Sequence, residues 1–213
     1  MTGSRGHICR RASIMVSLGL ALSLLVPIKG YGESTDPAAS RIDSFYNALL
    51  DTMKQAKQLG LKGRYDKLAP VLTKTYDLAS MSRIAVGQSW NALPPQQQLS
   101  IVNAFTRMTT ATYATRFDDF SGEQFEILQT VDQPNGDKIV KTRIIQSNGK
   151  PVALNYSMRK TDADWKIVDV YLDGTISELA SRRAEFGAIL KSGGPDALVS
   201  SLVKKGDKLL AGS

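Results

Sequence analysis

The chain is poor in the side chains that do covalent chemistry. Its 213 residues include one histidine and one cysteine, His7 and Cys9, both at the extreme N-terminus. No apolar run reaches the roughly 20 residues needed to span a bilayer. The longest, residues 14–26, follows Arg5, Arg10 and Arg11 and precedes the small-residue site Gly30-Tyr31-Gly32. A basic start, a short apolar stretch and small residues at a cleavage site predict a secretory signal over residues 1–32, cut between Gly32 and Glu33. Arg10-Arg11 leaves twin-arginine export open beside ordinary secretion. Cys9 stands before the apolar stretch, where a lipoprotein cysteine would follow it.

Cleavage removes His7 and Cys9 together with four basic residues and no acid, which lowers the formal charge from +7 to +3. The mature chain then has no disulfide, although the periplasm would permit one. It has no thiolate or imidazole for a zinc site, and no Ser-His-Asp or Cys-His machinery. The mild positive charge suits anionic lipid head groups and does not argue for nucleic acid, because no basic stripe interleaved with aromatics is present. Residues 33–213 are long enough to bury one good core and contain no internal repeat, low-complexity tract or linker.

What is present divides into helices, then strands, then helices. Asp36-Pro37 is a cap followed by a proline suited to the first turn. Ile42, Phe45, Leu49, Met53 and Ala56 recur on one helical face, and Gly60 and Gly63 bracket the end. A second helix is expected from about residue 64, broken or bent near Pro70, and a third over 77–86. A corner containing Trp90 leads to Pro94-Pro95 and a long helix over 96–117. Four strands are expected at 125–132, 138–146, 151–159 and 165–172, separated by turns that include Asn135-Gly136 and Asn148-Gly149. Val152, Leu154, Tyr156 and Met158 alternate onto one face of the third strand, and Val168, Val170 and Leu172 share a face of the fourth. Helices over 176–191 and from Pro195 to about 205 close the chain. The pattern is one α+β domain with an antiparallel meander.

Candidate acids are few. Asp118 and Asp119 are adjacent and so do not face each other. Asp162 and Asp164 lie in a hairpin turn, where aspartate serves local hydrogen bonding. Asp169, within the fourth strand, is either a structural carboxylate or an active-site acid working with a tyrosine. No glycine-rich loop joins a strand to a helix in the manner of a nucleotide site. The apolar faces form either a filled core or a dry cavity for acyl chains or a polycyclic lipid, and periodicity does not separate the two.

One set of segments carries more. Tyr76-Asp77-Leu78-Ala79-Ser80-Met81, Ala85-Val86-Gly87 and Trp90 come first. Gln97, Phe105 and Tyr113 follow on the long helix. Trp165-Lys166-Ile167-Val168-Asp169-Val170, Asp173-Gly174-Thr175-Ile176-Ser177, then Arg183, Glu185 and Phe186, and Gly193-Gly194-Pro195-Asp196-Ala197-Leu198 complete the series. In order and spacing these resemble the toluene-tolerance/MlaC family of periplasmic lipid carriers. Residues 83–87, 149–156 and 171–179 resemble its hopanoid-associated HpnM subgroup. Thr175-Ile176-Ser177 departs from the Val-Ser that relatives often carry there.

The resemblance implies a nuclear-transport-factor-2-like curved, four-stranded antiparallel sheet wrapped by helices around an apolar pocket. It implies a carrier, not an enzyme, with no cofactor, metal or catalytic residue. The carrier would shuttle a phospholipid or a hopanoid between inner and outer membranes. Its partners would be an inner-membrane transporter of ABC or RND type and an outer-membrane receptor. The expected lining is Val152, Leu154, Tyr156, Met158, Val168, Val170 and Leu172 from the sheet, facing Ile84, Phe105 and Met108, with Trp90 at the wall. Arg107 or Arg116 would meet the head group. The rival readings are a transporter adaptor with a filled core and an enzyme built on Asp169.

Overall fold

The computed structural model describes residues 36–162 and 164–212; the secretory leader expected over residues 1–32 lies outside them. The described residues form α1 (Pro37–Lys54), α2 (Ala56–Thr75), α3 (Leu78–Val86), a 3-10 turn (Gly87–Ala92) and α4 (Pro95–Arg116). After these come β1 (Gln124–Asp132), β2 (Lys138–Ile145), β3 (Pro151–Lys160), β4 (Trp165–Leu172), β5 (Ile176–Ser177) and α5 (Glu178–Leu210). This is an α+β fold whose strands pair antiparallel in sequence order.

Helix ends are set by local chemistry. The Asp36 carboxylate accepts from the amides of Ala38 and Ala39 at 2.9 and 3.1 Å, with Pro37 in the first turn. Lys138 on β2 donates to the same carboxylate at 2.5 Å, so this cap also ties α1 to the sheet. Asp77 caps α3 by accepting from Ser80 N, and Gly87, at φ 72°, closes it. Two expectations for the second helix are corrected. Helical backbone resumes at Ala56, is interrupted at Gly60 (φ 61°), where a helix end was expected, and continues through Pro70. Pro70 and Asp66, whose carbonyl loses its amide donor, are both on the exposed side, where water can replace the missing bond.

The sheet has five strands and not four. Asp173 and Gly174 both take positive φ (48° and 76°), which turns the chain tightly enough for Ile176 and Ser177 to pair with Leu172 and Tyr171. The last helix therefore starts at Glu178 and not at 176. It bends at Gly193-Gly194-Pro195, as expected for a helix pair. A Cβ on Gly193 would lie 2.6 Å from that of Ala197, and Gly194 adopts φ 75°.

A β-bulge in β4 changes which residues face inward. Tyr156 pairs with Val170, but Met158 pairs with Ile167, so Val168 is an extra residue between them. Ile167 and Trp165 thereby join Val170 and Leu172 on the inner face, and Val168, although buried, stands outside the main core cluster. Asp169, paired with Ser157 on the face opposite Val170, reaches the start of α5. Its carboxylate accepts from Val170 N (2.7 Å), Leu179 N (3.0 Å) and Ser177 Oγ (2.6 Å).

The inner face of the sheet is sealed at one end and open at the other. Val140, Tyr156, Met158 and Ile167 have no exposed surface, whereas Ile144, Val152, Leu154 and Leu172 are half-buried. Helix α1 closes the sealed end by packing Phe45 and Tyr46 edge-on against Tyr156, with centroids 6.4 and 5.8 Å apart. Helices α4 and α5 cross closely where Gly206 meets the Met108 backbone, and Phe105 meets Phe186 at 5.6 Å and 90°.

Two outcomes follow from these ties. Asp169→Ala strips the buried Leu179 amide of its acceptor and should lower stability by about 2 kcal/mol in denaturant melts, with Asp169→Asn intermediate. The Asp36 carboxyl sits below the ordinary carboxylate range: burial works against its charge, but Lys138 and the amides of Ala39 and Ala38 outweigh it. A depressed folded-state value gives stability that is present above about pH 4 and lost as pH falls below it. Acid denaturation followed by circular dichroism should show that loss, and Asp36→Asn should flatten it.

Candidate functional site

The open end of the sheet is roofed by helices that do not fill it. A cavity of about 260 Å3 lies between them. Its floor is Ile144 from β2, Val152 and Leu154 from β3, and Val170 and Leu172 from β4. One face of α4 forms the long wall: Phe105, Met108, Thr109, Thr112, Tyr113, Arg116 and Phe117. These recur at three- and four-residue intervals, so they form a stripe about 18 Å long at about 1.5 Å per residue. Tyr76 and Met81 close one corner from around the start of α3, and Glu178 and Arg182 enter from the first turns of α5.

The charges of the site are unequally committed. Arg182 reaches Glu185 at 3.0 Å and Glu178 at 3.4 Å, and Lys205 also pairs with Glu185. Burial works against the Glu185 charge, but Lys205 and Arg182 hold its carboxyl below the usual range. Arg116 is exposed and forms no ion pair among the described residues. Arg107 is bound to Asp207 at 2.6 Å and does not line the cavity. Of the two arginines considered for a head group, Arg116 is the one at the site.

Polar groups inside the cavity are few. The hydroxyls of Tyr76 and Tyr113 hydrogen-bond to each other. Thr112 donates back to the Met108 carbonyl at 2.9 Å. Burial pushes the Tyr113 hydroxyl up to about 12 and raises that of Tyr76 well above the ordinary tyrosine value. Both are neutral across physiological pH.

Among the expected lining residues, Phe105, Met108, Val152, Leu154, Val170 and Leu172 come together around this cavity. Five do not. Tyr156 and Met158 lie on the correct face of β3 but at the end that α1 seals. Val168 is displaced by the bulge. Ile84 and Trp90 are half-buried and pack against the core from outside the cavity. The residues not anticipated are Tyr76, Met81, Thr109, Thr112, Tyr113, Phe117, Ile144, Arg116 as lining, Glu178 and Arg182. Thr112, Tyr113 and Phe117 did share the apolar stripe of the long helix, and extending the Phe105–Met108 face by whole turns would have included them. Nothing in the periodicity marks Glu178 and Arg182, which are charged.

Asp169 does not line the cavity, and both of its oxygens are engaged at the start of α5. Among the described residues, no group of three or more histidine, cysteine, aspartate or glutamate side chains is placed to hold a metal ion. No described helix is long and apolar enough to cross a membrane.

Comparison with known proteins bears on this geometry. No curated protein sequence matches the chain. A solved structure with the same fold is the phospholipid-binding protein from Ralstonia solanacearum, determined in complex with a phospholipid. It is 22% identical over 82% of this chain and 99% of that one, with a TM-score of 0.73. The family model described as MlaC protein matches residues 43–204. That match spans the α1 face, the whole sheet and both walls of the cavity, and by it the chain belongs to the MlaC family.

Proposed function

We propose that this protein binds a phospholipid in the cavity between the open end of the sheet and α4–α5, and carries it through the periplasm between the inner and outer membranes. The observation that carries the reading is an apolar cavity with an exposed arginine, Arg116, that has no ion-pair partner among the described residues. Hydrocarbon placed there leaves water at about 0.8 kcal/mol per methylene. The phosphate remains outside, where its charge keeps its hydration and meets Arg116; buried and unpaired it would cost far more. Membership of the MlaC family and a phospholipid in the Ralstonia protein support this choice of cargo.

The cavity, about 260 Å3, is bounded on the sheet side mostly by half-buried residues. A two-chained lipid enters as the half-buried rim residues Ile144, Val152 and Leu172 part from α4. The carrier reading involves no cofactor, metal or covalent step, and Asp169 acts in it as a structural carboxylate. Loading and unloading would take place at an inner-membrane transporter of ABC or RND type and at an outer-membrane receptor. The secretory leader over residues 1–32 and the nuclear-transport-factor-2-like curvature of the sheet belong to the same proposal.

Native mass spectrometry of the protein from its own periplasm, followed by lipid extraction, tests the reading. A stoichiometric phospholipid is the expected result. A hopanoid would move the protein to the hopanoid-associated subgroup. A protein that is empty and refuses added lipid would leave the adaptor with a filled core. Thr109→Trp should fill the cavity and cut bound lipid at least fivefold with little change in thermal stability, because Thr109 already faces open space. Leu154→Asp should abolish retention by placing an unpaired charge on the floor. Arg116→Ala should weaken anionic phospholipid about two- to fivefold at low salt, and added salt should erase the difference.

A further inference from the structure

We propose that the Tyr76–Tyr113 hydroxyl pair is a built-in polar subsite of the cavity that donates a hydrogen bond to an ester carbonyl oxygen of the bound lipid. This rests on the lipid-binding reading above and adds a chemical requirement to it. The argument begins with a count of protons. Each tyrosine hydroxyl carries one proton and can also accept. In the pair, one proton is spent between the two oxygens. The hydroxyl that accepts it keeps its own proton, and no third partner for either oxygen exists among the described residues. Tyr76 is buried, Tyr113 is partly buried, and both rings line the cavity, so whichever hydroxyl keeps the spare proton directs it there. A buried donor left without an acceptor is costly. The cavity is the remaining direction from which an acceptor can come.

The position selects the kind of acceptor. Tyr113 stands three residues before Arg116 on the same face of α4, about 4.5 Å further along the cavity at the helical rise. In a glycerophospholipid the ester carbonyls lie just inside the phosphate and just outside the hydrocarbon. A phosphate held near Arg116 therefore brings an ester group to the level of Tyr113, with the chains continuing toward Met108 and Phe105. A polycyclic hydrocarbon offers no oxygen at that depth. Because burial raises both hydroxyls above the ordinary tyrosine value, the donor persists throughout physiological pH.

The test uses the delipidated protein with two probes: a diacyl phosphatidylglycerol, and the dialkyl-ether phosphatidylglycerol of equal chain length, which lacks both carbonyls. The wild-type protein should bind the ester lipid about five- to tenfold more tightly, the worth of one hydrogen bond in a dry site. The double variant Tyr76→Phe/Tyr113→Phe should erase the difference, bringing the affinities for the two lipids together. Removing both members of a hydrogen-bonded pair is nearly neutral for folding, which a thermal melt checks. Equal wild-type affinity for the two lipids would overturn the subsite while leaving the carrier reading intact, and needs no variant to establish. A double variant that loses both lipids equally would also overturn it. Failure of the wild type to bind either lipid would overturn the carrier reading and the subsite together.

Discussion

The Asp169 carboxylate decides where the last helix begins, and much of the site is placed by that helix. It lies beside the bulge at Val168 and keeps its pairing with Ser157, on the face opposite Val170. There it accepts the Leu179 amide, the Ser177 hydroxyl and its neighbour's amide. A negative group at a helix start satisfies donors that the helix cannot satisfy itself and complements its dipole. The consequence reaches the cavity. Glu178 and Arg182 enter it from the first turns of α5, and Phe186, further along, locks α5 against Phe105. Arg183 on the same helix lies over Gly87 at the C-terminal end of α3, where positive charge is favoured. Residues 165–186 thus behave as one unit, in which strand, bulge, hairpin and helix start are mutually fixed.

That unit explains what could and could not be read in advance. The elements themselves were legible: every strand expected from alternation and turn chemistry is present, with ends within a residue or two. The short β5 was missed because two residues carry no periodicity; its sign was Asp173-Gly174, a hairpin pair of the same kind as those used elsewhere. The bulge at Val168 was invisible because an apolar residue occupies both parities, Ile167 and Val168 being equally suited to burial. Pro70 was misjudged for the opposite reason: a strong local rule yielded because the carbonyl it deprives lies on the exposed side of the helix.

The site was legible as a face and not as a depth. Alternation on β3 placed Val152, Leu154, Tyr156 and Met158 together, and they do share a face. Two of them line the cavity and two are sealed under α1, a distinction made by the Phe45 and Tyr46 contacts and not by β3. Which part of an apolar face is covered is a tertiary fact. A similar limit hid Thr109. Threonine hydroxyls on a helix can bond back to the preceding turn, as Thr112 does to Met108, which leaves their methyl groups free to line an apolar surface. By hydropathy alone such residues count as polar and drop out of the lining.

For the proposed carrier, the balance of forces at the cavity would favour exchange over permanent retention. Arg116 is exposed, and an exposed ion pair contributes at most about 1 kcal/mol. Arg182 and Glu178 are engaged with each other, so any head group that recruits either must first break that pair. Affinity for a lipid would then come chiefly from hydrocarbon burial, at about 0.8 kcal/mol per methylene. That term grows with the length of chain enclosed and is indifferent to the identity of the head group. The half-buried rim of Ile144, Val152 and Leu172 leaves part of any long chain accessible, so a second apolar surface can begin to take the chain before the first has released it. A fully enclosed pocket would hold lipid more tightly and pass it on more slowly. In the proposed carrier, the open end of the sheet, which costs this fold some core, is the feature that would let lipid pass on without chemistry.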